Sequence, residues 1–138
     1  MNIVVHWSLH DYSEGSNSPI QDWYVSDLSD AGKFAFDALL KNTAKTENHL
    51  EWSGFKYPKG DLRKQRIWQL AFGADGRQYR LLGIFGSSFR KQAVLLIGCY
   101  HKGTIYTPPN ALETAIKRAK ALREGRAGTS ERKIKFDR

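Results

Sequence analysis

Residues 67–100 read IWQLAFGADGRQYRLLGIFGSSFRKQAVLLIGCY, and this stretch decides the fold. It contains three apolar runs of strand length, each rich in β-branched or aromatic residues. Asp75-Gly76 favours a tight hairpin between the first two runs, and residues 86–88, Gly-Ser-Ser, form the second connection. Because short connections make neighbouring strands pair, we predict a three-stranded antiparallel meander. Its strands are residues 67–72, 79–85 and 93–100.

Helical spacing lies on both sides of this stretch. Before it, residues 27–45 place apolar side chains on one stripe, and Ser26 is suited to cap the helix. After it, Pro109 favours the start of a second amphipathic helix, which Gly125 ends. The first stripe is Leu28, Ala31, Phe34 or Ala35, Ala38 and Leu39, and the second is Leu112, Ala115, Ile116, Ala119 and Leu122.

The remaining segments complete an α+β arrangement. Residues 3–7 are a β-prone run, residues 8–22 are rich in Ser, Asn and Gly and predict a loop, and residues 47–66 leave room for a short second helix. We therefore predict one domain over residues 1–125, with helices on one side of an antiparallel twisted sheet. That sheet combines one amino-terminal strand with the meander. Residues 126–138 are too polar to pack alone and predict a flexible basic tail.

The charge of the chain is large and unevenly distributed. Of 138 residues, 22 are Lys or Arg and 14 are Asp or Glu, which gives a net charge of +8. Residues 1–55 carry three basic against eight acidic side chains, residues 56–102 ten against two, and residues 103–138 nine against four. A basic surface attracts a polyanion through Coulomb attraction and counterion release. Nucleic acid is the expected partner, and a solvated Lys/Arg surface without a partner is the alternative.

Several other classes of protein find no support in the sequence. Cys99 is the single cysteine, which excludes a disulfide framework, and the histidines lack the spacing of metal ligands. Neither a P-loop nor a GxSxG motif is present. We therefore predict no metal and no cofactor. Without a run of eighteen apolar residues or a basic leader, we expect a cytoplasmic protein that does not contact the membrane.

Four short motifs follow one another between residues 66 and 122. They are the pair Tyr79-Arg80, the pair His101-Lys102, the step Thr107-Pro108, and a last helix with Ala115 and Ala119 on one face. In this order the motifs resemble the HigB branch of the RelE/ParE superfamily, which includes phage-derived members. These proteins are the toxins of type II toxin–antitoxin pairs. The resemblance implies a RelE-like fold and a metal-independent endoribonuclease that cleaves messenger RNA, on the ribosome in many relatives.

The resemblance also implies a partner and leaves two other functions open. A cognate antitoxin is encoded beside such toxins, and the basic charge predicts that it is acidic and covers the cleft. The ParE branch instead inhibits DNA gyrase without cleaving RNA. A phage-derived relative that has lost its activity would only bind nucleic acid or antitoxin.

Metal-independent cleavage requires a group that takes the proton of the 2′-hydroxyl, cations that hold the phosphate, and a proton donor for the leaving oxygen. Arg80 is the predicted phosphate ligand, because a guanidinium offers a planar fork of donors from a rigid strand. Lys102 is predicted as a second phosphate ligand and His101 as a proton carrier. Adjacent residues of an extended chain point to opposite sides, so the alternative is that one of the two alone faces the site. Tyr106 is predicted either to protonate the leaving oxygen or to stack on a base.

Surrounding residues are predicted to line the approach of the nucleic acid. The alternative for each basic residue is a solvated surface charge, and the alternative for each aromatic residue is a place in the core. The hypothesis requires that Arg80 and Lys102 lie on the same side of the sheet, in one positively charged hollow. The surrounding residues are Arg63, Lys64, Arg66, Arg77 and Tyr79. Three further aromatic residues are predicted either to stack on bases or to belong to the core, and they are Trp52, Tyr57 and Trp68.

Overall fold

The computed structural model describes residues 3–86 and 91–136. Within these ranges the chain forms six strands, four α-helices and one 3-10 turn, so the predicted α+β class is confirmed. The elements are β1 (Ser8–Ser13), α1 (Pro19–Asp27), α2 (Asp30–Lys45), the 3-10 turn (His49–Glu51), α3 (Asp61–Lys64), β2 (Trp68–Ala74), β3 (Arg77–Phe85), β4 (Gln92–Lys102), β5 (Ile105–Thr107), α4 (Ala111–Arg123) and β6 (Gly128–Glu131).

The predicted meander is confirmed by β2, β3 and β4, which pair antiparallel along the chain. Asp75 and Gly76 form its first turn with φ angles of 53° and 71°. Positive φ at both central residues gives a turn whose twist matches that of the flanking strands. Ser87 and Ser88 of the predicted second connection lie outside the described residues.

The amino-terminal strand differs from its prediction in position and direction. Residues 3–7 have no regular structure, and β1 lies in the segment predicted as a loop. The structure buries Leu9 and Tyr12, whereas Val4 is 62% exposed, so apolar content alone pointed to the wrong segment. Moreover, β1 pairs in parallel with β4, which corrects the prediction of a purely antiparallel sheet. The strand order is β2-β3-β4-β1-β6, and β5 pairs with β4.

The first predicted helix is confirmed as α2, with a later start and a different buried side. Ser29 rather than Ser26 caps it, because its side chain accepts a hydrogen bond from the Gly32 backbone N–H at 3.0 Å. Phe36 is completely buried, whereas Phe34 of the predicted stripe is 78% exposed. The short helix predicted between residues 47 and 66 corresponds to the single turn of α3.

Helices cover both faces of the sheet, and not one face as predicted. The α1/α2 face carries Leu81 and Leu95, and the α4 face carries Leu82 and Leu96. These neighbours alternate because successive side chains of a strand point to opposite faces. The residues of β4 from 93 to 99 are all buried, as expected for a strand covered on both sides. None of the described helices has the length and apolar character needed to cross a bilayer.

The predicted flexible tail contains the edge strand of the sheet. β6 pairs antiparallel with β1, and the partly buried Ile134 packs against the core of the α1/α2 face. Arg132 turns inward, with Nε 3.4 Å from Asp11 Oδ1, close enough for an ion pair although the two atoms form no hydrogen bond. Its guanidinium lies over the rings of Tyr24 and Phe36, at 5.3 and 5.2 Å from their centres. These contacts hold a segment that has few apolar residues of its own.

Candidate functional site

Arg80 lies on the α4 face of the sheet. Its partners across the strands are Ala71 of β2 and Cys99 of β4, and Cys99 belongs to the apolar cluster beneath α4. Directly opposed residues of an antiparallel pair point to the same face. The half-buried guanidinium donates through Nη1 to the Tyr79 carbonyl at 3.2 Å. Within the described residues no carboxylate forms an ion pair with Arg80.

His101 and Tyr106 lie on the same face, one row further along. His101 is opposed by Gln78 of β3 and by Tyr106 of β5, and the two ring centres of His101 and Tyr106 are 5.7 Å apart. A residue two positions beyond a direct cross-strand partner is about 7–8 Å away. Arg80 and His101 therefore occupy neighbouring rows of the same face. The structure thus brings together three of the four predicted catalytic residues.

One nitrogen of His101 has a partner and the other does not. Nδ1 lies 3.0 Å from the Gly103 carbonyl oxygen, which only accepts hydrogen bonds, so Nδ1 carries the proton of the neutral ring. Nε2 then has a lone pair and acts as an acceptor. It is buried, and the described part of the chain offers it no hydrogen-bond partner. A buried nitrogen in this state requires a partner from elsewhere.

Lys102 lies on the opposite side of the sheet from Arg80. Successive residues of a strand alternate, so Lys102 points with Tyr100 to the α1/α2 face. The requirement that Arg80 and Lys102 share one hollow is therefore not met. The site built on these two cations is wrong, and Lys102 does not belong to it.

Arg77 and Tyr79 also belong to the α1/α2 face. Tyr79 is 1% exposed and stacks on Phe72 with ring centres 5.0 Å apart, so it is a core residue and its predicted contact with nucleic acid is wrong. The exposed guanidinium of Arg77 lies 4.5 Å from the centre of the Tyr100 ring. Arg77 therefore lies on the opposite face of the sheet from Arg80. Trp52 and Trp68 are likewise buried in this core.

The three predicted cations between residues 63 and 66 flank the α4 face. Leu62 packs into the apolar cluster of that face and anchors α3 beside it. Arg63, Lys64 and Arg66 are exposed, and Arg63 donates through Nη2 to the Tyr57 carbonyl at 3.0 Å. They contribute positive charge at the border of the face, and none of them shares a sheet row with Arg80.

One polar contact of the α4 face had no signal in the sequence. Arg118 of α4 donates through Nη1 to the Leu96 carbonyl at 2.7 Å. Leu96 lies where the register of β3 and β4 shifts, between the pairs formed by Leu82 and Gly83. The sequence places Arg118 among several cations of an amphipathic helix. Only the position of the helix over the sheet distinguishes it from them.

Comparison with known proteins gives no match: no protein-family model, no curated protein and no solved structure matches the chain. Among residues 3–86 and 91–136, no three His, Cys, Asp or Glu side chains form a group that could hold a metal ion. The functional argument therefore rests on the side chains of the α4 face. These are the guanidinium of Arg80, the imidazole of His101 and the phenol of Tyr106.

Proposed function

We propose that the chain is a toxin of the RelE/HigB type that cleaves RNA without a metal on its α4 face. The observation that carries the proposal is the placement of Arg80, His101 and Tyr106 on that face in neighbouring rows. The meander followed by an alanine-faced helix agrees with the resemblance seen in the sequence. The proposal differs from the sequence-based site in excluding Lys102.

The three side chains match the needs of the reaction. The 2′-hydroxyl oxygen forms a bond to the adjacent phosphorus while the bond from phosphorus to the 5′-oxygen breaks, which leaves a 2′,3′-cyclic phosphate. His101 Nε2 takes the proton of the 2′-hydroxyl, and Tyr106 gives a proton to the leaving 5′-oxygen. Arg80 binds the non-bridging oxygens and stabilises the charge that develops on them. Exchange with water restores both side chains.

Because His101 Nε2 is buried, the reaction requires a change of conformation. RNA reaches Nε2 only if the hairpin between β4 and β5 moves, since the nitrogen is buried in the present conformation. Loops rearrange on binding in a substantial minority of complexes, and residues 102–105 are exposed. The same observation favours a second candidate function, in which the α4 face binds RNA and does not cleave it.

We further propose an acidic antitoxin as the cognate partner. The support is the charge of the chain and the guanidinium of Arg80 on the α4 face, which forms no ion pair with a carboxylate of the described residues. An acidic segment laid over that face would displace counterions and occupy the position of the phosphate. Binding of antitoxin and binding of RNA would then exclude each other.

The test is induced expression in a bacterial host with mapping of transcript 5′ ends. We expect the wild-type chain to arrest growth and to produce new transcript ends, and Arg80→Gln to do neither. Arg77→Gln is the matched control, because it removes the same charge from the same strand on the opposite face. It should behave as wild type. Circular dichroism of the purified variants checks that both remain folded.

The other outcomes distinguish the alternatives. Growth arrest with intact transcripts would contradict cleavage and would favour an inhibitor of gyrase. A wild-type chain that causes no arrest and no new ends would be an inactive relative. Equal loss of activity in Arg77→Gln and Arg80→Gln would show that overall charge, rather than the α4 face, carries the effect.

A further inference from the structure

A basic cavity lies on the β1 side of α4. It has a volume of about 700 Å³ and is bounded by the end of β1, by α4 and by the turn that follows α4. The candidate ribonuclease residues do not line it. Its charged and aromatic lining residues are Tyr12, Glu14, Lys117, Arg118, Lys120 and Arg126.

Positive charge dominates this cavity. Four of the lining residues are cations, and Glu14 is the lining carboxylate. Glu14 accepts a hydrogen bond from the Tyr12 hydroxyl at 2.5 Å. Burial is the main reason that the pKa of Tyr12 is raised to about 12, so its phenol stays neutral and adds no negative charge. Arg126 forms an ion pair with Glu124 at 2.5 Å, so the two lysines and Arg118 face the carboxylate of Glu14 and leave the cavity with a net positive charge.

Arg118 is the fixed group of the cavity. Its Nη1 donates to the Leu96 carbonyl at 2.7 Å, and its guanidinium lies 5.2 Å from the centre of the Tyr12 ring. Burial lowers the pKa of Arg118, and the nearby Tyr12 and Glu14 act in the other direction without cancelling the effect. A half-buried charge that is only partly compensated is unfavourable. An anion in the cavity would offset this cost without moving the guanidinium.

We propose that this cavity binds a phosphate group. A fixed guanidinium presents directed donors to phosphate oxygens, and lysines add mobile point charges. The volume is in the usual range of small-molecule sites, so the phosphate can belong to a phosphodiester of RNA or to a small phosphate compound. The proposal does not rest on the ribonuclease activity, because the cavity and the candidate catalytic residues have no residue in common.

Calorimetric titration with pyrophosphate tests the site. We expect the wild-type chain to bind pyrophosphate and Lys117→Gln to bind it about fivefold to tenfold more weakly, since one charge-assisted contact is lost. Arg123→Gln is the matched control, because Arg123 lies on the same helix outside the cavity and contacts Gln65. It should change the affinity little. Lys117 is preferred to Arg118 because replacing Arg118 also leaves the Leu96 carbonyl without its donor.

Two results would overturn the proposal. One is the absence of pyrophosphate binding to the wild-type chain, and the other is an equal loss of affinity in Lys117→Gln and Arg123→Gln. A second probe distinguishes the two sources of the phosphate. It is a 2′-O-methyl RNA of about ten nucleotides, which cannot be cleaved by its own 2′-hydroxyl. If pyrophosphate displaces this RNA and Lys117→Gln weakens both ligands, the site takes a phosphodiester. If only pyrophosphate binding is weakened, the site takes a free phosphate compound.

Discussion

Asp11 is a carboxyl group on which two opposing effects act. Burial raises its pKa from 3.8 to about 6, and the nearby charge of Arg132 acts in the other direction without cancelling the effect. Arg132 keeps a second anchor in Gln21, whose side-chain oxygen accepts from both Nη atoms at 3.0 and 2.9 Å. Because the pKa of Asp11 in the folded chain exceeds that in the unfolded chain, ionisation of Asp11 opposes folding.

Asp11→Asn removes this titration and gives a prediction of pH dependence. Below a pH of about 4 the carboxyl is protonated in both states and its favourable contribution is complete. As the pH rises through about 6, the wild-type chain loses this contribution, which amounts to about 3 kcal/mol for a pKa difference of roughly two units. Urea denaturation across this range should show the wild type losing stability relative to Asp11→Asn. A difference that stays constant with pH would contradict the buried titration.

The face on which a residue lies explains why the candidate site was predicted only in part. The sequence places His101 and Lys102 together after an apolar strand, but a one-residue difference reverses the face. The register shift between Leu82 and Gly83 determines to which face each residue at the end of β4 points. Nothing in the local sequence indicates this shift. Arg80, His101 and Tyr106 share the α4 face, whereas Lys102 points to the other face of the sheet.

At the scale of elements, α1 was missed although its sequence contains a helix signal. Pro19 occupies a first-turn position, and the buried residues Ile20 and Trp23 are three positions apart. The flanking Ser, Asn and Gly residues masked this signal. β6 had no comparable signal, because all four of its residues are exposed and only long-range pairing with β1 specifies it. The meander and α4 were predictable because their apolar patterns are local.

Trp23 of α1 packs closely against Gly98 of β4. A Cβ added at Gly98 would lie 2.5 Å from the Trp23 ring, so Gly98→Ala must displace that ring. We expect the free energy of unfolding to fall by about 1–3 kcal/mol, as for other overpacked cores. Gly73→Ala is the control, since its nearest contact would be an ordinary 3.7 Å. Chemical denaturation measures both variants, and equal stability of the two would contradict the close packing.

At the scale of the whole molecule, the position of the cations matters more than the net charge. Helices on both faces leave Arg80 on one side of the sheet, and Arg77 and Lys102 on the other. The net charge of +8 suggests an anionic partner, which stays a prediction, and composition alone does not indicate which face would bind it. The proposed phosphate-binding role belongs to the α4 face because Arg80 lies there.

The most direct test of this account is the cleavage rate of a labelled RNA by the purified chain in excess chelator, with detection of the 2′,3′-cyclic phosphate. The account predicts cleavage by the wild type, a loss of about 100-fold or more in Arg80→Gln, and nearly wild-type cleavage in Lys102→Gln. A loss in Lys102→Gln as large as in Arg80→Gln would contradict it. Cleavage that is unaffected by Arg80→Gln would contradict it as well.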